Sequence, residues 1–169
     1  MTLSESDLDP NDIDPIDRAE YVAEHNGWEF DRVSDDQIAV SIPSQWNAQG
    51  YSITLAWSSY DQTLRLICTY ELGPTEDRMP ALFELLNAMN DRCWSGAFTW
   101  WEEQQLMVYR YGLILSGDMI ASPEQIDTMI GSAVYTCDKY YPVIQLVLWE
   151  EKTADEAMQS AFDRTFGRA

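Results

Sequence analysis

Cations are scarce in this chain. It has ten lysines and arginines against 29 aspartates and glutamates, a formal charge of -19 and a pI near 4.1. Such a surface repels phosphate backbones, which disfavours direct nucleic-acid binding. Histidine is scarcer still, with His25 alone. A nucleophile–histidine triad would have to use it, and no GxSxG accompanies it. There are three cysteines, Cys68, Cys93 and Cys137, with no CxxC pair. They read as reduced, mostly buried thiols of a cytosolic protein. GxGxxG and GxxxxGK[ST] are absent. No apolar run approaches the roughly 18 residues of a membrane span. The start, "MTLSESDLDPNDIDPIDRAE", lacks both a basic and an apolar signal region, so a cytoplasmic location is expected.

What remains is a good core former. Hydrophobic residues make up 46% and aromatics 12%, enough for one domain over residues 14–169. Residues 1–13 are polar, acidic and without periodicity, and read as a flexible tail. Residues 1–36 hold twelve acids against Arg18 and Arg32, a net of -10. Such charge favours solubility or steers a basic partner.

Asp14-Pro15 reads as an N-cap followed by proline at the first helical position. Ile16, Ala19, Val22 and Ala23 follow as an apolar stripe, and Gly27 suits a left-handed stop. Strands are expected in "WEFDRV", "IAVSIP", "YSITLAWSS" and "LRLICTYEL", an antiparallel meander. Pro80 opens a helix running to about Cys93, with Leu82, Phe83, Leu85, Leu86 and Met89 on its buried side. "AFTWWEEQQLMVYRYGL" reads as a hairpin. Phe98 and Trp100 share one face of its first strand, Thr99 and Trp101 the other; Met107, Tyr109, Tyr111 and Leu113 share a face of the second. Both faces are partly apolar, so the pair suits a central place with helices on one side and a partner on the other. Ser122-Pro123-Glu124-Gln125 is a capping-box start for a helix interrupted by a kink at Pro142. Thr153 and Glu156 begin a last helix.

No constellation carries chemistry. His25 beside Asn26 and Gly27 suits a helix dipole. "DLDPNDIDPIDR" resembles a calcium loop in outline, but Asp12 stands where glycine belongs and Arg18 where the bidentate glutamate belongs. Glu102-Glu103 and Glu150-Glu151 are adjacent and point apart. No catalytic residue, metal site or cofactor is expected.

Two blocks carry a family likeness. "NAMNDRCWSGAFTWW" is similar to N-x-R-L-W-x-G-H-F-x-x-W, matched at Asn90, Arg92, Trp94, Gly96, Phe98 and Trp101. Cys93 replaces the leucine and Ala97 the histidine. "CDKYYPVIQLVLW" is similar to C-x-x-Y-Y-P-x-x-Q-x-V-x-W, matched at Cys137, Tyr140, Tyr141, Pro142, Gln145, Val147 and Trp149; Lys152, Glu156 and Ala157 continue it. The chain thus resembles the YbjN family of bacterial sensory transduction regulators over roughly residues 16–165. The resemblance implies an α+β fold like the type III secretion chaperones, an antiparallel sheet packed against helices. The order implied is α-β-β-β-α-β-β-α, here with an extra short strand and a final helix. Those chaperones are acidic cytoplasmic homodimers that hold protein segments.

The expectation is a non-enzymatic, chaperone-like or regulatory interaction domain, homodimeric, with a protein partner and neither nucleic acid nor membrane. Trp94, Phe98, Trp100, Trp101, Tyr109 and Tyr111 are its candidate partner surface. Asn90, Arg92, Gly96, Tyr140, Tyr141, Pro142 and Trp149 read as structural. The alternative is a small-molecule sensor with a pocket between sheet and kinked helix, lined by Trp100, Tyr109 or Tyr141.

Overall fold

Punctuation residues set the first boundaries. The computed structural model describes residues 14–166, so the expected acidic tail, 1–13, lies outside the described residues. Helix α1 runs Pro15–Asn26; the Asp14 carboxylate accepts from the Ile16 N–H at 2.8 Å, and Gly27 closes the helix at φ 69°. Its stripe of Ile16, Ala19, Val22 and Ala23 is buried, as the spacing predicts.

Strands β1 (Glu29–Ser34), β2 (Gln37–Ile42), β3 (Tyr51–Ser58) and β4 (Thr63–Glu71) form the meander. After a short 3₁₀ turn, α2 spans Met79–Asn90. It buries Leu82, Leu85, Leu86 and Met89. Phe83 does not join them: it is half-exposed, one position off the stripe. Strands β5 (Ala97–Trp101) and β6 (Leu106–Ile114) are the hairpin; α3 (Pro123–Leu148) and α4 (Ala154–Phe166) complete the fold.

The sheet is antiparallel throughout, in the order β1-β2-β3-β4-β6-β5. The hairpin is therefore not central. The connection through α2 brings β6 beside β4 and leaves β5 at the edge.

Helices cover one face. Along β3 and β4 burial alternates, with Ile53, Leu55, Leu64, Leu66 and Cys68 inside. α1 lies over β1–β3, α3 over β4 and β6, and α2 beside β5. Each fully buried aliphatic contributes roughly 1.5–3 kcal/mol relative to exposure. The start of α3 shows the predicted capping box: Gln125 N–H donates to Ser122 Oγ (3.1 Å), and Ser122 N–H to Gln125 Oε1 (2.9 Å).

Pro142 lies inside the continuous α3. Lacking an N–H, it leaves the Asp138 carbonyl without its helical donor. Arg78 closes the far end of α3. Its guanidinium donates to the Val147 carbonyl (2.9 and 2.7 Å) and to that of Lys152 (3.0 Å). A cation there also complements the helix dipole.

Candidate interaction surface

The turn from α2 into β5 is built from two residues of the matched pattern. The Asn90 side chain donates to the Phe98 carbonyl (2.9 Å) and accepts from the Phe98 N–H (2.7 Å). It binds the edge backbone as a neighbouring strand would. Gly96 is needed for space: a Cβ there would run into the Tyr109 hydroxyl and lie 2.9 Å from the Arg110 carbonyl oxygen. Arg92 belongs to the same turn, its N–H bonding the Met89 carbonyl at 3.0 Å.

Six aromatics were expected to form one surface; register divides them. Phe98 stands opposite Tyr109, and Trp100 opposite Met107, on the helix side. Phe98 and Tyr109 are buried, with rings 5.0 Å apart and Tyr140 edge-on to Phe98 at 5.7 Å. They are core, because α3 covers them, and leave the candidate surface. Trp100 also packs against this core. Burial pushes the Tyr109 hydroxyl above the ordinary tyrosine value, with Ser95 and Thr136 hydrogen bonds opposing.

The aromatics that stay accessible lie elsewhere. Trp94 is 98% exposed, and Trp101 is partly exposed beside Leu106. On the face without helices, the rows Asp31-Ala39-Thr54-Ile67-Arg110-Ala97 and Glu29-Ser41-Ser52-Thr69-Val108-Thr99 run across the sheet. Most of these side chains are small. At the β6 end this face opens into a hollow of about 600 Å³ between Arg65, Ile67, Trp94, Trp101, Arg110 and Tyr111. Arg65 is held by Asp61 at 2.7 Å, and that hydrogen bond, helped by Ser58, draws the Asp61 carboxyl below its ordinary value.

A second hollow of about 320 Å³ lies on the helix side, between β6 and the first half of α3. Tyr109, Tyr111, Leu113 and Met129 supply apolar lining, and Ser95, Gln125, Thr128 and Ser132 polar groups. Of the aromatics expected in a sensor pocket, Tyr109 lines it; Trp100 and Tyr141 do not. Tyr111 and Ser95 border both hollows. Sequence reasoning missed Arg65, Arg110 and Ser95: Ser95 follows Trp94 in the chain, the hairpin pairing sets Arg110 opposite Ala97, and only the β4–β6 pairing brings Arg65 to them.

The remaining pattern residues line neither hollow. Tyr140 and Tyr141 are buried, Tyr141 lying 5.9 Å from the Tyr70 ring, and Trp149 is the half-exposed C-cap of α3. His25 ends α1, stacked on Tyr21. Cys68 and Cys137 touch in the core at 3.8 Å, where burial pushes the Cys137 thiol up. Among the described residues, no group of three or more metal-ligating side chains converges, and no helix is long and apolar enough to cross a membrane.

A one-sided antiparallel sheet with Trp94, Trp101, Arg65 and Arg110 at one end of its open face defines an α+β domain. The chain belongs to the YbjN family: the family model, described as "Putative bacterial sensory transduction regulator", matches residues 15–146. The crystal structure of YbjN from E. coli, titled there "a putative transcription regulator", shares the fold at a TM-score of 0.51. Identity is 15%, over 80% of this chain and 89% of that one. No curated protein matches the chain.

Proposed function

We propose that this protein is a non-enzymatic, chaperone-like regulator of the cytoplasm that holds a protein segment on the open face of its sheet, and that it does so as a homodimer. One observation carries the reading: the nearly fully exposed Trp94 and the partly exposed Trp101 flank a hollow that also holds Arg65 and Arg110. Tryptophan, tyrosine and arginine dominate interface energetics where they meet in a pocket. Regulation is the role that the family's description supports.

The test is affinity capture from the protein's own cell lysate at low and high salt, for the wild type and for Trp94→Ala/Trp101→Ala. The expected result is a stoichiometric partner that survives high salt and is lost from the variant, with an unchanged circular dichroism spectrum. A partner retained equally by both proteins overturns the surface. A partner lost with salt alone reduces it to attraction towards the acidic exterior. Light scattering tests the dimer.

A second reading, a small-molecule sensor, is favoured by the 320 Å³ hollow, whose size and mixed lining suit a small ligand. A native mass spectrum of the purified protein showing a retained small molecule would support it.

A further inference from the structure

The two hollows meet at one stretch of backbone. The β5–β6 ladder begins at the pair Ala97–Arg110, so β6 continues through Tyr111, Gly112, Leu113 and Ile114 without a partner on that side. On the other side, β4 pairs this stretch to its end. Asn90 takes the outward N–H and C=O of Phe98, so Phe98–Tyr109 is a non-hydrogen-bonded pair. By alternation the N–H and C=O of Gly112 and Ile114 point outward, past the start of β5. Among the described residues nothing bonds them there. Both residues are exposed. Gly112 is a second sign. Its backbone lies outside the left-handed region, and a Cβ there would meet only the Thr63 Cγ2 methyl, at 3.2 Å. Neither a turn nor a severe clash accounts for a glycine that weakens this strand. The close approach of another backbone is the remaining reason to keep one.

We propose that an extended acidic segment of a partner protein adds to the sheet along Gly112–Ile114, with its carboxylates on the open face and its alternate, apolar side chains on the helix side. This rests on the reading above, that a protein segment is held, and gives that segment its chemistry and its place. Charge selects the occupant. The larger hollow takes two of the chain's ten cations, Arg65 and Arg110, and none of its 29 acids lines it. Asp61 already holds Arg65, whereas Arg110 holds no ion pair among the described residues. Arg65 stands opposite Gly112, and Arg110 lies two residues before that glycine. The two arginines are therefore diagonal neighbours on one face, about 7–8 Å apart. A partner side chain opposite Gly112 shares this face. With no side chain on Gly112 in between, a carboxylate there is within reach of both guanidiniums.

The helix side fits the alternation. A side chain opposite Leu113 turns to the smaller hollow, where Tyr109, Tyr111, Leu113 and Met129 give apolar lining. Glu124, also in that lining, disfavours a second acid there. Ser95 and Tyr111 border both hollows, so one strand laid on this edge fills both. The backbone bonds of Gly112 and Ile114 give affinity without sequence preference; the arginines and the apolar hollow give the preference. A basic segment of the same pattern would set like charges together.

The test is an NMR titration of the full chain with a blocked hexapeptide of alternating glutamate and valine, and with its counterpart of lysine and valine. The glutamate peptide should protect the Gly112 and Ile114 amides from exchange, while Tyr111 and Leu113, bonded to β4, keep their rates. Arg110→Glu should weaken its binding about ten- to hundredfold, the loss of a charge-assisted hydrogen bond. Ile114→Pro removes one outward N–H, spares the β4 ladder and should abolish the protection. Methylating the peptide's own backbone nitrogens should do the same without touching the protein. The lysine peptide should shift only the acidic exterior and lose its shifts with salt. Glutamate peptide bound with Gly112 and Ile114 unprotected overturns the inference and leaves the wider reading standing, as does equal binding of both peptides. Protection of the two amides before any peptide is added also overturns it: the edge is then covered by something else, such as a second copy. No binding of the glutamate peptide at millimolar concentration overturns it outright, and capture from the lysate then decides the wider reading by itself.

Discussion

The two faces of the sheet solve different problems with neighbouring residues. Leu66 and Ile67 are consecutive, yet Leu66 is fully buried under the helices and Ile67 stands in the bare row beside Arg110. On the covered face, bulk and close packing hold the fold together. On the open face, the rows are mostly alanine, serine and threonine, and the large side chains are displaced to one end. The lesson is that aromatic content alone does not mark a surface: Phe98 and Trp101 belong to one short strand and serve opposite sides.

The strongest way to break this contrast is to truncate both members of the Leu66–Ile67 pair. Leu66→Ala should cost about 2–5 kcal/mol in urea unfolding, and Ile67→Ala about 1 kcal/mol or less. Equal losses would mean that the open face is packed after all.

Gly96→Ala comes next. Its Cβ collides with Tyr109, which cannot retreat under α3, so about 1–3 kcal/mol should be lost. Asn90→Ala removes both bonds to Phe98 and should cost about 1–2 kcal/mol.

A pH titration sharpens the comparison further. Burial holds the Tyr70 hydroxyl, on the covered face, well above the ordinary tyrosine value of 10.0. The folded state therefore keeps its proton where the unfolded chain loses it. Its contribution to stability is intact below pH 10 and lost as pH rises above it, by about 1 kcal/mol near pH 10.5–11. Stability flat across that range would contradict the burial. The smallest effect belongs to the open face: Trp94→Ala should change stability by less than about 0.5 kcal/mol, because the side chain is 98% exposed.

Local features were legible because their causes are local. Asp14, Pro15 and Gly27 bound α1, Ser122 and Gln125 start α3, and period-two runs give the strands. The two matched blocks gave the family. The β4–β6 pairing was not legible, since it joins residues such as Ile67 and Arg110 across the whole of α2. Without it, the covered face of the hairpin could not be told from the bare one, and so Phe98 and Tyr109 stood beside Trp94 as candidates. The Arg78 contacts were hidden for the same reason: a guanidinium in a short turn gives no sign that it will meet Val147.

That guanidinium has a consequence for cooperativity. Near the end of α3, the Gln145 carbonyl is met by the Trp149 N–H, that of Leu146 by the Lys152 N–H, and that of Val147 by Arg78. Two of these donors lie in the connection to α4 and one in the turn before α2. The last turn of α3 therefore cannot fray by itself. To open it, the chain must also release the link to α4 and the approach to α2, so the end of α3 and the link that follows it melt together with a turn 69 residues away in sequence.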